Sequence, residues 1–193
     1  MKPATPADLE DQIRHAMTAG NWHDAERLGA LLDRQPRTEP QLLPAALWYA
    51  SQGLHVFPLQ PGAKIPMPGS RGCHDATTDP AQITAWWAKW PAANVAIATG
   101  HLVDVIDIDG PAGVLSWARC DDLPEPLGVV STPRPGGTHL YIPATGQANR
   151  VGILPGVDYR GASGYVVAPP SVNADGVRYT WRRPPHLERA TAA

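Results

Sequence analysis

A chain of 193 residues with 16 Lys and Arg against 18 Asp and Glu carries a formal charge of −2 and a pI near 6.4. That balance excludes a strongly basic nucleic-acid coat protein and an acidic solvating tail, and leaves room for a local basic groove. Hydrophobic residues make up 43% and charged residues 18%, a globular composition, while 22 Pro and 18 Gly predict many turns and short elements.

The N-terminal 40 residues read as a helical hairpin. Thr5-Pro6-Ala7-Asp8 fits a capping box with Pro at the first helical position. Leu9, Ile13, Ala16 and Met17 then recur at helical spacing. Gly20 is the stop and Asn21 the next cap, ahead of a second stripe of Trp22, Ala25, Leu28, Leu31 and Leu32. Both stripes need a surface to bury them, on the main domain or on a partner. Pro36, Pro40 and Pro44 mark the boundary. The expected division is therefore hairpin and linker over 1–40, a main domain over 41–183, and a polar tail over 184–193. Residues 1–40 hold seven acids and five bases, so the excess negative charge lies there; residues 41–193 hold eleven of each.

From residue 42 the texture changes. Leu42–Gly53 predicts a helix stopped by Gly53, and Leu54–Leu59 a strand. A Pro/Gly loop over 60–72 holds Lys64. Asp79-Pro80 opens a helix that Pro91 ends, with Ile83, Trp86, Trp87 and Trp90 at helical spacing. A Trp cluster can stack bases, yet at this spacing aromatics more often serve a core. Short runs rich in Val, Ile, Tyr and Thr follow, bounded by Gly and Pro: 94–98, 102–109, 128–132, 138–142, 157–160, 165–168 and 178–181. One helix is predicted over 112–120. Segment 144–154 receives no role. Strands this dense behind two helices predict an α+β domain whose antiparallel or mixed sheets form a cleft.

Cys73 and Cys120 are 47 positions apart with no CxxC, so they make neither a disulfide framework nor a zinc site. No apolar run approaches the roughly 20 residues of a membrane span, and the start lacks a signal peptide's basic and apolar regions. The expectation is a soluble, cytoplasmic protein without a membrane partner.

Three stretches carry potential chemistry. In Val103-Asp104-Val105-Ile106-Asp107-Ile108-Asp109-Gly110, strand alternation puts Asp107 and Asp109 on one face, about 6.5–7 Å apart, with Ile106 and Ile108 turned into a core. Burying both acids unpaired costs several kcal/mol. A hard divalent cation such as Mg²⁺ or Mn²⁺ removes that cost; a solvated strand end does so equally. Ser131-Thr132-Pro133-Arg134-Pro135-Gly136-Gly137-Thr138-His139 reads strand, turn, strand. Gly136-Gly137 suits a hairpin turn, or offers backbone N–H groups to phosphate beside Arg134. His139, taken alone, reads as structural. In Gly156-Val157-Asp158-Tyr159-Arg160-Gly161, Asp158 and Arg160 share a face, as a surface ion pair would.

The order of these pieces is specific. Lys64-Ile65-Pro66, the Trp helix, Asn94–Gly100, Asp107-Ile108-Asp109-Gly110, Gly136-Gly137-Thr138-His139 and Asp158-Tyr159-Arg160 through Pro169-Pro170-Ser171 together resemble the bifunctional primase-polymerase (prim-pol) domain of plasmids, phages and integrated elements, in the archaeo-eukaryotic primase superfamily. The resemblance covers residues 44–182. It implies a primase-like catalytic core, a small α/β unit and an RRM-like unit around a deep cleft, with the N-terminal hairpin outside it. It also implies two metals, Mg²⁺ or Mn²⁺, on Asp107, Asp109 and Asp158, and a nucleotide-phosphate motif at Gly137-Thr138-His139. Arg160 and Arg134 become phosphate contacts, with Lys64 in a Lys-x-Pro loop of less specific use. The implied activity is a DNA primase or polymerase acting with dNTPs or NTPs on a single-stranded or primed template. A helicase or another replication protein in trans is the implied further partner, because many members continue into a helicase or helical-bundle domain, whereas this chain ends soon after Trp181.

Two other functions compete. A metal-dependent nuclease or phosphohydrolase uses the same carboxylates with His139 as base. A non-catalytic nucleic-acid-binding replisome module needs none of them, and the intact set of Asp107, Asp109, Asp158 and His139 argues against it.

Overall fold

In a computed structural model of the chain, residues 6–24, 27–28, 41–121, 123–185 and 187 are described. The chain divides into two compact units, Met1–Pro40 and Gln41–Ala193.

In the first unit, α1 spans Pro6–Thr18 and Gly20, at φ 71°, turns the chain. Asn21 Oδ1 accepts the backbone N–H of Asp24 at 3.3 Å, and residues 22–24 are helical. The stop at Gly20 and the cap at Asn21 therefore fall where the sequence puts them. Ala16 is buried, while Met17 and Trp22 are exposed. Thr5, Ala25, Leu31, Leu32, Pro36, Pro40 and the side chains of Asp8 and Leu9 lie outside the described residues, as does most of the 184–193 tail.

The second unit holds α2 (Leu42–Ser51), α3 (Pro80–Lys89) and α4 (Gly110–Trp117). Its strands are β1 (Val56–Leu59), β2 (Asn94–Ala98), β3 (Val103–Ile108), β4 (Gly128–Ser131), β5 (Thr138–Pro143), β6 (Arg150–Leu154), β7 (Val157–Arg160), β8 (Tyr165–Ala168) and β9 (Thr180–Arg183). They form a three-stranded sheet, β1-β2-β8, and a six-stranded sheet, β6-β7-β3-β5-β4-β9. Every strand pair is antiparallel, so the unit is α+β.

Local chemistry explains the elements. Gly53, at φ 83°, closes α2 in the left-handed conformation that only Gly adopts cheaply. The Asp79 carboxylate caps α3 by accepting the Ala81 N–H at 2.9 Å, with Pro80 at the first helical position. α4 starts two residues earlier than its sequence pattern indicates: Asp109 is its N-cap residue, Gly110 its first helical residue, and Pro111 falls in the first turn, where its missing N–H costs no hydrogen bond. β6 has no sequence counterpart. It is an exposed edge strand interrupted by Gly152 and irregular in register between Arg150 and Leu154, so it lacks the alternation that marks a half-buried strand.

Helix α2 packs on β1 and β2, α3 on α2 and β1, and α4 on β3, β6 and β7. One buried cluster joins Val56, Val95, Ile97 and Val166 of the small sheet to Val103, Val105, Val130 and Tyr141 of the large one. A second, with Ile106, Ile108, Ile142, Val157 and Tyr159, lies on the other face of the large sheet. Tyr49 of α2 ties these layers together: its hydroxyl donates to Pro169 O at 2.6 Å and accepts from Trp181 Nε1 at 2.8 Å. Gly113 lets α4 lie against the β6–β7 turn, since a Cβ there would stand 2.2 Å from Gly156 O. Among the described residues no helix is long and apolar enough to cross a membrane.

Candidate active site

Register assembles the site. Asp107 on β3 sits opposite His139 on β5 and opposite Asp158 on β7. Directly paired residues of an antiparallel sheet point to the same face, so the three side chains form one row across the middle of the large sheet. Arg160 lies two residues beyond Asp158, opposite Val105, and therefore joins that face. Its Nη2 donates to Asp158 Oδ2 at 2.6 Å and to Asp107 Oδ2 at 3.1 Å. One guanidinium thus neutralises two carboxylates that would otherwise repel each other. The remaining Asp158 oxygen accepts the Gly152 N–H at 2.7 Å, which gives the irregular strand β6 a task.

A cavity of about 210 Å³ opens over this row. Its large-sheet side is Asp107, His139, Arg160 and Tyr179; across from them stand Lys64 and the 163–167 segment that leads into β8, with Asn149 also on the wall. Tyr165 fixes the Lys64 backbone by donating its hydroxyl to Lys64 O at 2.9 Å. Two cationic side chains beside a buried carboxylate and an imidazole make a place where phosphate charge and a hard cation can both be met.

His139 is buried, with Nε2 3.6 Å from Asp107 Oδ1, too long for a hydrogen bond. Burial lowers its pKa to about 3, reinforced by the positive charge of Lys64 and then Arg160, against a raising influence from Asp109. The imidazole is therefore neutral at neutral pH, and its contact with Asp107 is not an ion pair there. Its Nδ1 has no hydrogen-bond partner among the described residues. Tyr179 packs on it, ring centroids 5.9 Å apart, and burial with the Asp107 and Asp109 charges pushes the Tyr179 phenol up to about 12.

Asp109 departs from the row. β3 ends at Ile108, and Asp109 becomes the residue before α4, at φ −108° and ψ 109°. Its Oδ1 pairs with Arg134 Nη1 at 3.3 Å. Arg134 belongs to the turn between β4 and β5, where Gly137 N donates to Arg134 O at 2.8 Å and Gly136 adopts φ 75°. Gly137 is packed too tightly for a side chain, since a Cβ would meet Thr132 Oγ1 at 2.1 Å. Thr138 opens β5 opposite Ile108. The sequence-identified residues thus fall into two groups. Lys64, Asp107, His139, Asp158 and Arg160 meet in or under the cavity; Asp109, Arg134, Gly137 and Thr138 cluster at the end of β3, and none of these four lines the cavity. Among the described residues no three His, Cys, Asp or Glu side chains are placed to hold a metal ion as they stand; Arg160 occupies the gap between Asp107 and Asp158, and Arg134 holds Asp109.

Sequence reasoning passed over Tyr179, Asn149 and Asp104. Tyr179 and Asn149 reach the cavity from segments with no motif. Asp104 faces away from it, fully buried, with Oδ2 accepting from Thr145 N at 2.7 Å, Thr145 Oγ1 at 3.1 Å and Tyr159 OH at 2.5 Å. A charged residue in a run of Val and Ile was the one available signal.

No curated protein matches the chain. The family model for the N-terminal part of bifunctional DNA primase/polymerases (Prim-Pol) matches residues 46–193, which span both sheets and every residue of the cavity. A family of this kind uses DNA and nucleotides as substrates. This chain belongs to the bifunctional DNA primase/polymerase family.

Proposed function

We propose that the chain is a metal-dependent nucleotidyltransferase that adds nucleotides to a DNA primer, or starts one, on a single-stranded template, with the cavity over Asp107 as its active site. The observation that carries this reading is the Asp158-Asp107-His139 row with Arg160 and Lys64 around it. We further read the two sheets and their cleft as the primase-like core of the archaeo-eukaryotic superfamily, and the setting as plasmid- or phage-type replication or damage tolerance.

The donor set fits the metal such chemistry uses. Asp107, Asp109 and Asp158 offer only carboxylate oxygens, the ligands that Mg²⁺ and Mn²⁺ prefer. The Arg160 guanidinium already places positive charge between two of them. In this proposal the three acids hold the ions. When bound, the metal supplies a lowered pKa at the attacking 3′ hydroxyl and charge neutralisation on the leaving pyrophosphate. The protein's own groups do the rest. Lys64 and Arg160 bind and orient the triphosphate through charge-assisted hydrogen bonds. Neutral His139 donates an N–H to a phosphate oxygen without adding charge. Tyr179 holds the imidazole plane and closes the site to water on that side.

The test is a primed single-stranded template with labelled dNTPs and Mg²⁺ or Mn²⁺, run beside Asp107→Ala/Asp109→Ala. Extension by the wild type and not by the variant supports the proposal. Template shortening assigns the site to a nuclease. Binding without turnover, equal in both proteins, overturns both enzyme readings. An unprimed template with ATP and dNTPs then separates priming from extension.

A further inference from the structure

Helix α3 divides its aromatics between two tasks. Ile83 and Trp87 are buried, and the Trp87 indole is satisfied by Ala93 O at 2.9 Å. Trp86 and Trp90 are only half-buried. Each rests on the core with one side and turns the other to a second cavity, of about 280 Å³, bounded opposite by Met67 and Pro68. Among the described residues neither of these two indole N–H groups has a hydrogen-bond partner. A Trp with one apolar side anchored and its donor open is the arrangement that interfaces favour.

The groove carries one Lys and one Asp, and only the Lys is left without an opposite charge. Lys89 Nζ lies 4.5 Å from the Trp90 ring centroid, and no carboxylate among the described residues pairs with it. The acid of the groove, Asp75, is already held by Arg71, Nε to Oδ1 at 2.8 Å, and by the Arg71 N–H and Ser70 hydroxyl. One loop lines both this groove and the active-site cavity. The loop that supplies Met67 and Pro68 on this side supplies Lys64 on the other, and three residues span at most about 10–11 Å. That loop is pinned by Gln60, whose backbone N–H donates to Ile65 O at 2.8 Å and whose side chain donates to Pro66 O at 3.1 Å.

We infer that this groove binds single-stranded DNA: unpaired bases stack on Trp90 and Trp86, and Lys89 meets an adjoining phosphate. The inference rests on the chain's use of a single-stranded template. Flat aromatic faces accept every base, and a cation beside them accepts the backbone, so the contact is independent of sequence. A proline-rich peptide is the other ligand an aromatic groove can take, and the unpaired lysine and the shared loop with the polymerase cavity favour the nucleic acid.

The experiment titrates labelled oligo(dT) into the wild type, Trp90→Ala, Trp86→Ala/Trp90→Ala, Trp90→Phe and Lys89→Gln, reading anisotropy and intrinsic tryptophan fluorescence. Circular dichroism of each variant checks the fold. The wild-type fluorescence is expected to be quenched on binding. Trp90→Ala should weaken single-strand affinity about tenfold, from the stacking of one base, with Trp90→Phe recovering most of it. Lys89→Gln should flatten the dependence of log affinity on log salt by about 0.7, the value for one phosphate on a single strand. A blunt duplex should be bound equally by all. If folded Trp90→Ala and Lys89→Gln bind oligo(dT) as the wild type does, or if a proline-rich peptide quenches the tryptophans and oligo(dT) does not, the inference is wrong. Asp107→Asn separates the two failures. It should abolish extension and leave oligo(dT) binding intact, so loss of the catalytic reading leaves the groove standing, and the reverse.

Discussion

Strand β3 buries one carboxylate on each of its faces, and the two are held in opposite ways. On the α4 side, Asp104 is 0% exposed and only neutral donors reach it: the Thr145 amide and hydroxyl and the Tyr159 phenol all converge on Oδ2, while Oδ1 is buried without a partner among the described residues. On the cleft side, Asp107 is 7% exposed and is satisfied by a cation, Arg160, that it shares with Asp158. Neutral donors fixed by backbone and packing tie Thr145 and Tyr159 to the strand. A guanidinium on a long side chain, about a quarter exposed, makes a bond that can be exchanged for another positive group. The same residue type three positions apart is thus a staple on one face and half of an exchangeable ion pair on the other.

The strongest way to break the comparison is to neutralise each acid in turn. Asp107→Asn should lower the extension rate about a thousandfold or more, equivalent to about 4 kcal/mol of barrier, while changing stability by less than about 1 kcal/mol, because Arg160 keeps Asp158. Single-turnover extension and denaturant unfolding of the same preparation check both halves. A stable variant with undiminished rate would remove Asp107 from the chemistry.

Asp104→Ala should do the reverse. It leaves the Tyr159 hydroxyl and the Thr145 N–H without their acceptor, at about 2–3 kcal/mol. In a chain of this size that lowers the melting temperature by about 5–10 °C. Extension per folded molecule should change only through Asn149, which the stapled loop brings to the cavity wall. Limited proteolysis should find 144–149 newly accessible. A variant as stable as the wild type would show that the staple contributes nothing.

These two acids also show how far a sequence reports a site. The alternation in Val103–Asp109 was enough to put Asp107 opposite to Ile106 and Ile108, and a period of two is all that this required. It did not reveal that the strand stops at Ile108. Gly110, at φ 65°, turns the chain into α4, so Asp109 leaves the row and meets Arg134. Asp158 and Arg160 were legible as a pair on one face, but their partner is 51 residues before Asp158, and only register supplies it. Asp104 was opaque for the same reason, its donors being 41 and 55 positions away. The Trp helix was half legible: spacing selects a core stripe, yet which indoles keep a free side depends on the 60–70 loop, whose path has no periodicity to read.

Arg160→Gln sharpens the exchange itself. Without the guanidinium, Asp107 and Asp158 face each other unneutralised and the triphosphate loses a charge-assisted donor. The dNTP concentration at half-maximal rate should rise about tenfold, from the ~1.5 kcal/mol low end for a hydrogen bond to a charged group. Binding of Mn²⁺ alone, read by electron paramagnetic resonance, should tighten, since two acids gain an empty place between them. A variant in which both affinities fall together would mean that Arg160 assists the cation rather than standing in for it.

The smallest effect concerns a buried nitrogen that does not line the active-site cavity. His55 stacks on His101 with ring centroids 4.4 Å apart, and its Nδ1 is buried without a partner among the described residues. Burial first, and the neighbouring imidazole second, lower its pKa below the usual histidine value. The unfolded chain therefore takes up this proton at a higher pH than the folded one, near 6.5. Wherever the unfolded state binds more protons, stability rises with pH. As pH falls through about 6.5 toward the folded value, the wild type should lose stability from this site. Because His55 is partly exposed, solvent screening keeps the loss to about a few tenths of a kcal/mol. His139, buried and neutral, titrates in the same direction, so the quantity to read is the difference between the wild type and His55→Asn in urea unfolding at pH 7.5 and 5.5. The variant should lose less over that interval. An equal loss in the two proteins would mean that His55 is as easily charged in the folded state as in the unfolded one.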